Sequence, residues 1–234
     1  MKKYIFAILT LMLLCLALCA CKEETSEVDV EIDADGYWVI EGERTNVLAK
    51  ENDDRTNPQG LEFYLQPDGS YHVGAGKAKY LSKIVIPKTY NGRAITGINE
   101  KGFSNCSNLV EIVILADIQT IGKEGFFSCR KLDMKIPESV MTIGDMAFAN
   151  CYALTEVRLS EGVTELGQLT FANCQTLENV YLPKSLETIK DQAFSGSDSI
   201  TNVYYCGSKD EWSKMDPFTS YQKKNITFHY DYED

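Results

Sequence analysis

Four cysteines recur at almost constant spacing: Cys106, Cys129, Cys151 and Cys174. Thiols in a series can ligate a metal, pair as disulfides or act as nucleophiles. CxxC pairs, the spacing that gathers sulfurs around zinc, do not occur in the sequence. Each of these cysteines instead stands three residues after a phenylalanine and three before a leucine. It therefore repeats with the apolar positions, as a small buried residue would. Segments stacked about 4.8 Å apart would bring successive Cα atoms within disulfide range, but side chains at equivalent positions run parallel and do not converge. Buried free thiols are expected, with a disulfide as the alternative and no metal. Cys206 falls out of register, at the position of Pro137 and Pro183, and is expected to be half exposed.

Other catalytic signatures are missing. The two histidines, His72 and His229, fall in segments at opposite ends of the repeat array, too far apart to act together. No nucleophile elbow, P-loop, HExxH or dinucleotide fingerprint occurs, and no pair is singled out among the 34 acidic residues. The chain is read as a non-enzyme with no cofactor.

What positions the cysteines is a repeat. Phe-x-x-Cys-x-x-Leu starts at Phe103, Phe126, Phe148 and Phe171, and returns at Phe194 with Ser197 in place of cysteine; the phenylalanines lie 23, 22, 23 and 23 residues apart. An alternating apolar pair follows each: Ile112/Ile114, Met134/Ile136, Val157/Leu159, Val180/Leu182 and Val203/Tyr205, with an earlier copy at Ile84/Ile86. Period two is that of a strand with one face buried. One repeat buries about five apolar side chains worth roughly 1.5–3 kcal/mol each, against an ordering cost of about 1–2 kcal/mol for every residue. A lone copy cannot fold, so the copies must stack and cover each other's open faces. The expected fold is an α/β, β-rich, right-handed solenoid of about six coils. It carries one parallel sheet of six short strands, with Ile118, Ile121 and their equivalents as the opposite wall. Asn105, Asn150 and Asn173 are expected to bond main-chain groups of the coils.

The segments TIGDMAFANCYALTEVRL and TELGQLTFANCQTLENVYLP resemble the BspA-type leucine-rich repeat, found in surface proteins of mucosal bacteria and some protists. The resemblance covers residues 81–206. Its flanks match too: LEFYLQPDGSYHV is similar to the opening hairpin of such proteins and VYYCGSKDEWSKM to their closing segment. It implies a leucine-rich-repeat stack that binds protein ligands without catalysis, and adhesion to host matrix, mucosal surfaces or other bacteria. Physically the flanks are caps. Pro67-Asp68-Gly69 turns a hairpin, Ser208 and Glu211 make a capping box for a short helix bearing Trp212, and Ile226, Phe228 and Tyr230 supply a covering strand. Two departures stand out: one residue is missing between Leu132 and Met134, and serine replaces the fifth ladder cysteine.

The chain opens MKKYIFAILTLMLLCLALCAC, a basic start, an apolar run and small residues, which is the layout of an export signal. Leu18-Cys19-Ala20-Cys21 resembles the bacterial lipobox, which implies cleavage after Ala20 and lipidation of Cys21. A plain secretory signal or an uncleaved anchor helix are the alternatives, and each places the rest outside the cytoplasm. The expected order is signal peptide 1–20, acidic tether with a small hairpin 21–60, hairpin cap 61–80, repeats 81–206 and C-terminal cap 207–234. Net charge is −11, which argues against nucleic acid and against electrostatic docking on anionic lipid. Membrane contact is expected through the lipid anchor alone.

The outward row of the sheet reads Val85, Val113, Lys135, Arg158, Tyr181 and Tyr204; beside it run Lys83, Glu111, Asp133, Glu156, Asn179 and Asn202. Tyrosine and arginine dominate binding hot spots, so the candidate ligand surface centres on Arg158, Tyr181 and Tyr204, with Lys135, Glu156, Asn179 and Asn202 around them. Six strands give a strip about 25–30 Å tall, below a standard interface, so single copies should bind weakly and gain from multivalency. The function expected is lipid-anchored, cell-surface protein binding or adhesion. The alternatives are an assembly scaffold within the bacterial envelope, or glycan binding through Trp38, Tyr181 and Tyr204.

Overall fold

The computed structural model describes residues 59–220 and 222–233, together with the main chain of three strands nearer the N-terminus. Those are β1 (Val30–Ile32), β2 (Tyr37–Ile40) and β3 (Glu43–Leu48), which form an antiparallel sheet in that order. β2 and β3 pair as a hairpin, and β1 adds to the other side of β2. The signal segment 1–20, the lipidation candidate Cys21 and the remainder of the acidic stretch lie outside the described residues.

The N-terminal cap is a hairpin, β4 (Glu62–Leu65) and β5 (Tyr71–Gly74). Its turn is fixed locally: Gly69 takes φ 87°, and Asp68 Oδ1 accepts the Ser70 N–H at 2.9 Å and its hydroxyl at 2.7 Å. Then come β6 (Lys83–Ile86), β7 (Thr89–Tyr90) and β8 (Arg93–Ile98). Asn91 (φ 50°) and Gly92 (φ 69°) join the last two as the tight hairpin that Asn-Gly favours.

From there each coil contributes a two-residue strand to one wall and, except at residues 133–136, a strand to the other. In chain order they are β9 (Glu111–Ile114), β10 (Thr120–Ile121), β11 (Thr142–Ile143), β12 (Glu156–Arg158), β13 (Glu165–Leu166), β14 (Asn179–Leu182), β15 (Thr188–Ile189) and β16 (Asn202–Tyr205). The first wall holds β6–β9 and β12–β14–β16, all parallel; the second holds β8–β10–β11 and β13–β15. The cap hairpin joins the second wall, β5 lying parallel to β8. About seven turns stack in all.

Between the walls runs a column of phenylalanines. Rings of Phe103, Phe126, Phe148, Phe171 and Phe194 stack at 5.3, 5.3, 5.4 and 5.5 Å. To bring each ring inward the coil turns sharply on both sides of it. The residue two before (Lys101, Glu124, Met146, Leu169, Gln192) and the residue two after (Asn105, Ser128, Asn150, Asn173, Gly196) all have φ between 55 and 73°. Asparagine and glycine tolerate that region best, which is the reason for Asn105, Asn150 and Asn173. Their amides bond neighbouring side chains, Ser104 Oγ, Ser128 Oγ and Asn150 Oδ1, rather than the main chain expected from sequence.

The C-terminal cap begins with helix α1 (Lys209–Trp212). Ser208 Oγ accepts the Glu211 N–H, while the Glu211 carboxylate accepts the Ser208 N–H at 2.7 Å. Trp212 is buried against Tyr205, Phe218 and Phe228. The last strand, β17 (Thr227–His229), pairs in parallel with β16. Phe218 stacks on Phe194 at 5.2 Å, and Gln222 Nε2 donates to Phe194 O at 3.0 Å. The cap thereby imitates the side of a further coil.

The first wall differs from expectation in two places. Its sheet is not continuous, because residues 133–136 form no ladder with β9 or β12. One residue separates Leu132 from Met134, where the other copies have two. The shortened coil keeps its inward Met134 and Ile136 but cannot align its main chain with both neighbours. The Asp133 carboxylate compensates, accepting the Thr155 N–H at 3.2 Å and hydroxyl at 2.9 Å. In the following coils a main-chain carbonyl does this, as Thr155 O does for Glu178 N–H at 3.0 Å. Secondly, Val85 is 4% exposed and so is no part of an outward strip. Gln59 lies along it like a short strand, donating from Nε2 to Val85 O at 2.7 Å and accepting the Val85 N–H at 2.8 Å.

Candidate recognition surface

Parallel pairing places side chains of equal register directly above one another. In the sheet β12–β14–β16–β17 two outward rows result: Glu156, Asn179, Asn202 and Thr227, and beside them Arg158, Tyr181, Tyr204 and His229. Inward Val157, Val180 and Val203 between them are completely buried, which holds the strands flat and the rows upright.

The second row is one stacked column. The Arg158 guanidinium lies 3.8 Å from the centre of the Tyr181 ring. Tyr181 and Tyr204 are 4.5 Å apart and 5° from parallel, and Tyr204 and His229 are 4.3 Å apart and 10° from parallel. Tyr232 leans on both tyrosines, at 5.8 and 5.0 Å. The neighbouring row is tied by hydrogen bonds: Asn202 Nδ2 donates to Asn179 Oδ1 at 3.0 Å, and His229 Nε2 lies 3.4 Å from Asn202 Oδ1. Glu156 sits 3.9 Å from Arg158. Burial, reinforced by the Glu156 charge, pushes the Tyr181 hydroxyl above its ordinary range, so it remains a donor.

Of the residues singled out from sequence, Arg158, Tyr181, Tyr204, Glu156, Asn179 and Asn202 are therefore brought together. Lys135 is exposed but belongs to the unladdered coil, outside this sheet. Lys83 and Glu111 pair at 2.9 Å in the separate two-stranded piece. His229 and Tyr232 are members that sequence reasoning missed. The signal for His229 was present: if Phe228 faces inward, period two turns His229 outward beside Tyr204. Nothing comparable marks Tyr232, which reaches the column after a left-handed turn at Asp231 (φ 50°).

The cysteine ladder is structural. Cys106, Cys129, Cys151 and Cys174 are buried free thiols and Cys206 is half-buried. No group of metal-binding side chains occurs among the described residues, and none of their helices is long and apolar enough to cross a membrane.

The family model for the BspA-type leucine-rich repeat region matches residues 78–220, with 6 copies. The chain belongs to this family. Among solved structures, this BspA-type chain is similar to a leucine-rich repeat protein of T. pallidum, with TM-score 0.63 and 22% identity over 76% of this chain and 82% of that one. It is also similar to a leucine-rich cell surface protein of Faecalibacterium prausnitzii, with TM-score 0.56 and 23% identity over 74% of this chain and 54% of that one. At such identities the likeness is one of fold. No curated protein matches the chain.

Proposed function

We propose that this chain is a cell-surface recognition module, held to the bacterial membrane by lipid on Cys21, which binds a protein ligand without catalysis. Repeats of this family suit protein interaction, and the F. prausnitzii neighbour is described as a cell surface protein. One observation carries the reading: the half-buried column Arg158–Tyr181–Tyr204–His229, built of hot-spot side chains on a rigid sheet. The same column weakens the glycan reading. Sugars stack on open ring faces, and both faces of Tyr181 and of Tyr204 are already covered within the stack. What the column presents sideways is ring edges, the tyrosine hydroxyls and the Arg158 guanidinium, beside the Asn179 and Asn202 amides; these are hydrogen-bonding groups for a polypeptide.

Four strands span about 15–20 Å, so a single site is small and adhesion depends on many copies per cell. The test uses cells displaying the full chain or its Arg158→Ala/Tyr181→Ala/Tyr204→Ala variant at equal density. The expected result is lost adhesion to host cells or matrix with envelope integrity unchanged. Unaltered adhesion together with a leaky envelope would replace this reading by an assembly scaffold.

A further inference from the structure

The stacked column and the strand ladder beneath it stop at the same residue. His229 occupies the last register position, opposite Tyr204, and no described strand lies beyond β17. One face of its imidazole rests on Tyr204; the opposite face continues the axis of the column outward. The main chain is arranged to match. Thr227 N–H is used on Thr201 O at 2.7 Å, so the alternation of a strand turns the N–H and C=O of Phe228 to the outer edge. The Phe228 side chain is half-buried, packed on Trp212 at 5.7 Å and Phe218 at 6.1 Å. The edge thus offers an imidazole face, an outward main-chain pair and a partly covered apolar floor, in strand register.

The other end of the same wall is closed. There the Gln59 amide satisfies both main-chain groups of Val85 in the manner of a neighbouring strand. Chains ordinarily block exposed strand edges because these template pairing with other chains. Among the described residues this one blocks the first edge and leaves the second without a counterpart.

We propose that the outer edge of β17 takes up an extended strand of a partner protein by strand addition. The added strand carries arginine or tyrosine opposite His229, an apolar residue opposite Phe228, and net positive charge. This rests on the reading of the column as a recognition surface and names the partner segment for it. The side-chain preference follows from the column, since another planar group in register extends the same stacking. The charge preference follows from the net −11 of the chain and from exposed Asp231 and Glu233 just after the strand. Those charges also disfavour a second copy, which would set like charges together at a twofold. Main-chain bonds along so short a strand supply orientation more than affinity, in keeping with binding that depends on copy number.

The test is made on the purified full chain with a short fluorescent peptide that alternates valine with arginine, tyrosine and lysine. Two further versions are N-methylated on one or the other set of alternate residues. The expected result is that one methylated version fails to bind while the other binds as the parent does. The parent should also slow hydrogen exchange at the Phe228 amide, and His229→Ala should weaken binding about three- to tenfold, as loss of one stacked contact requires. Binding indifferent to which set is methylated, or an unprotected Phe228 amide, overturns the proposal. So does a concentration-dependent dimer that His229→Ala dissolves, because a second copy would then hold the edge. If the peptides fail but the triple variant still loses adhesion, only the edge assignment falls; intact adhesion in that variant removes the column as a recognition surface.

Discussion

The thiol of Cys129 donates to the carbonyl oxygen of Phe103, one coil back, at 3.0 Å. Cys151 to Phe126 at 3.1 Å and Cys174 to Phe148 at 3.3 Å repeat the bond, and Ser197 makes it to Phe171 with a hydroxyl at 2.7 Å. The position therefore asks for a small buried donor, not for sulfur chemistry. The carbonyls of Phe103, Phe126 and Phe148 are shared, each also taking the N–H of the cysteine three residues on, as Phe126 O takes the Cys129 N–H at 3.1 Å; at the fifth position the Ser197 hydroxyl itself accepts the Cys174 N–H at 2.8 Å. Cys151→Ser is accordingly expected to stay within about 1 kcal/mol of the parent, whereas Cys151→Val, which fills the space but cannot donate, should cost about 1–2 kcal/mol. Urea unfolding of the two variants measures the difference.

The same ladder makes stability sensitive to alkali. Burial pushes the Cys151 thiol up and the Cys174 thiol up to about 12. A group whose folded pKa is raised stabilises fully below its unfolded value, about 8.5 for a thiol, and loses that contribution as pH rises toward the folded value. Stability should fall from about pH 8.5 upward, by as much as about 1.4 kcal/mol per pH unit for each buried thiol. Replacing Cys151 and Cys174 by serine should flatten the profile, which urea midpoints across the alkaline range would show.

Phe148 has a phenylalanine on either side, at 5.3 and 5.4 Å, and is 1% exposed. Phe148→Ala opens a cavity in the middle of the column and breaks two stacked contacts. It should cost about 3–5 kcal/mol, and Phe148→Leu less, since leucine fills most of the space. Thermal unfolding distinguishes them. A similar loss is not expected for Phe63, which is only partly buried against Tyr90 at the N-terminal cap.

How much of this could be read from the residues depends on which interaction fixes each feature. The period of the phenylalanines and the alternation of Val157, Val180 and Val203 determine the stack because burial decides which side chains face inward. The capping box of Ser208 and Glu211 was equally plain, being local. Asn150 was read correctly as structural but for the wrong bond: its left-handed φ of 62°, not an amide contact to main chain, calls for asparagine. Burial of Val85 depends on Gln59, 26 residues earlier and outside any repeat, so no periodicity announces it. Tyr232 joins Tyr204 only through the path of the final turn. The rows of the candidate surface were visible in the sequence, but the coplanar stacking that makes them one column is a product of sheet geometry.

The break in the first wall tests whether coil length alone controls the sheet. Asp133 replaces a main-chain acceptor for Thr155, and both residues are exposed. Asp133→Ala should therefore cost no more than about 1 kcal/mol. Inserting one threonine between Leu132 and Asp133 gives this coil the spacing of its neighbours. The main chain of residues 134–136 can then pair with β9 on one side and β12 on the other, and the two pieces become one sheet. Hydrogen exchange at Met134–Ile136 and at Glu156–Arg158 should slow, and the urea midpoint should rise. If the insertion lowers stability and leaves those amides exchanging as before, coil length is not what divides the wall, and the Asp133 carboxylate must hold the coils apart on its own account.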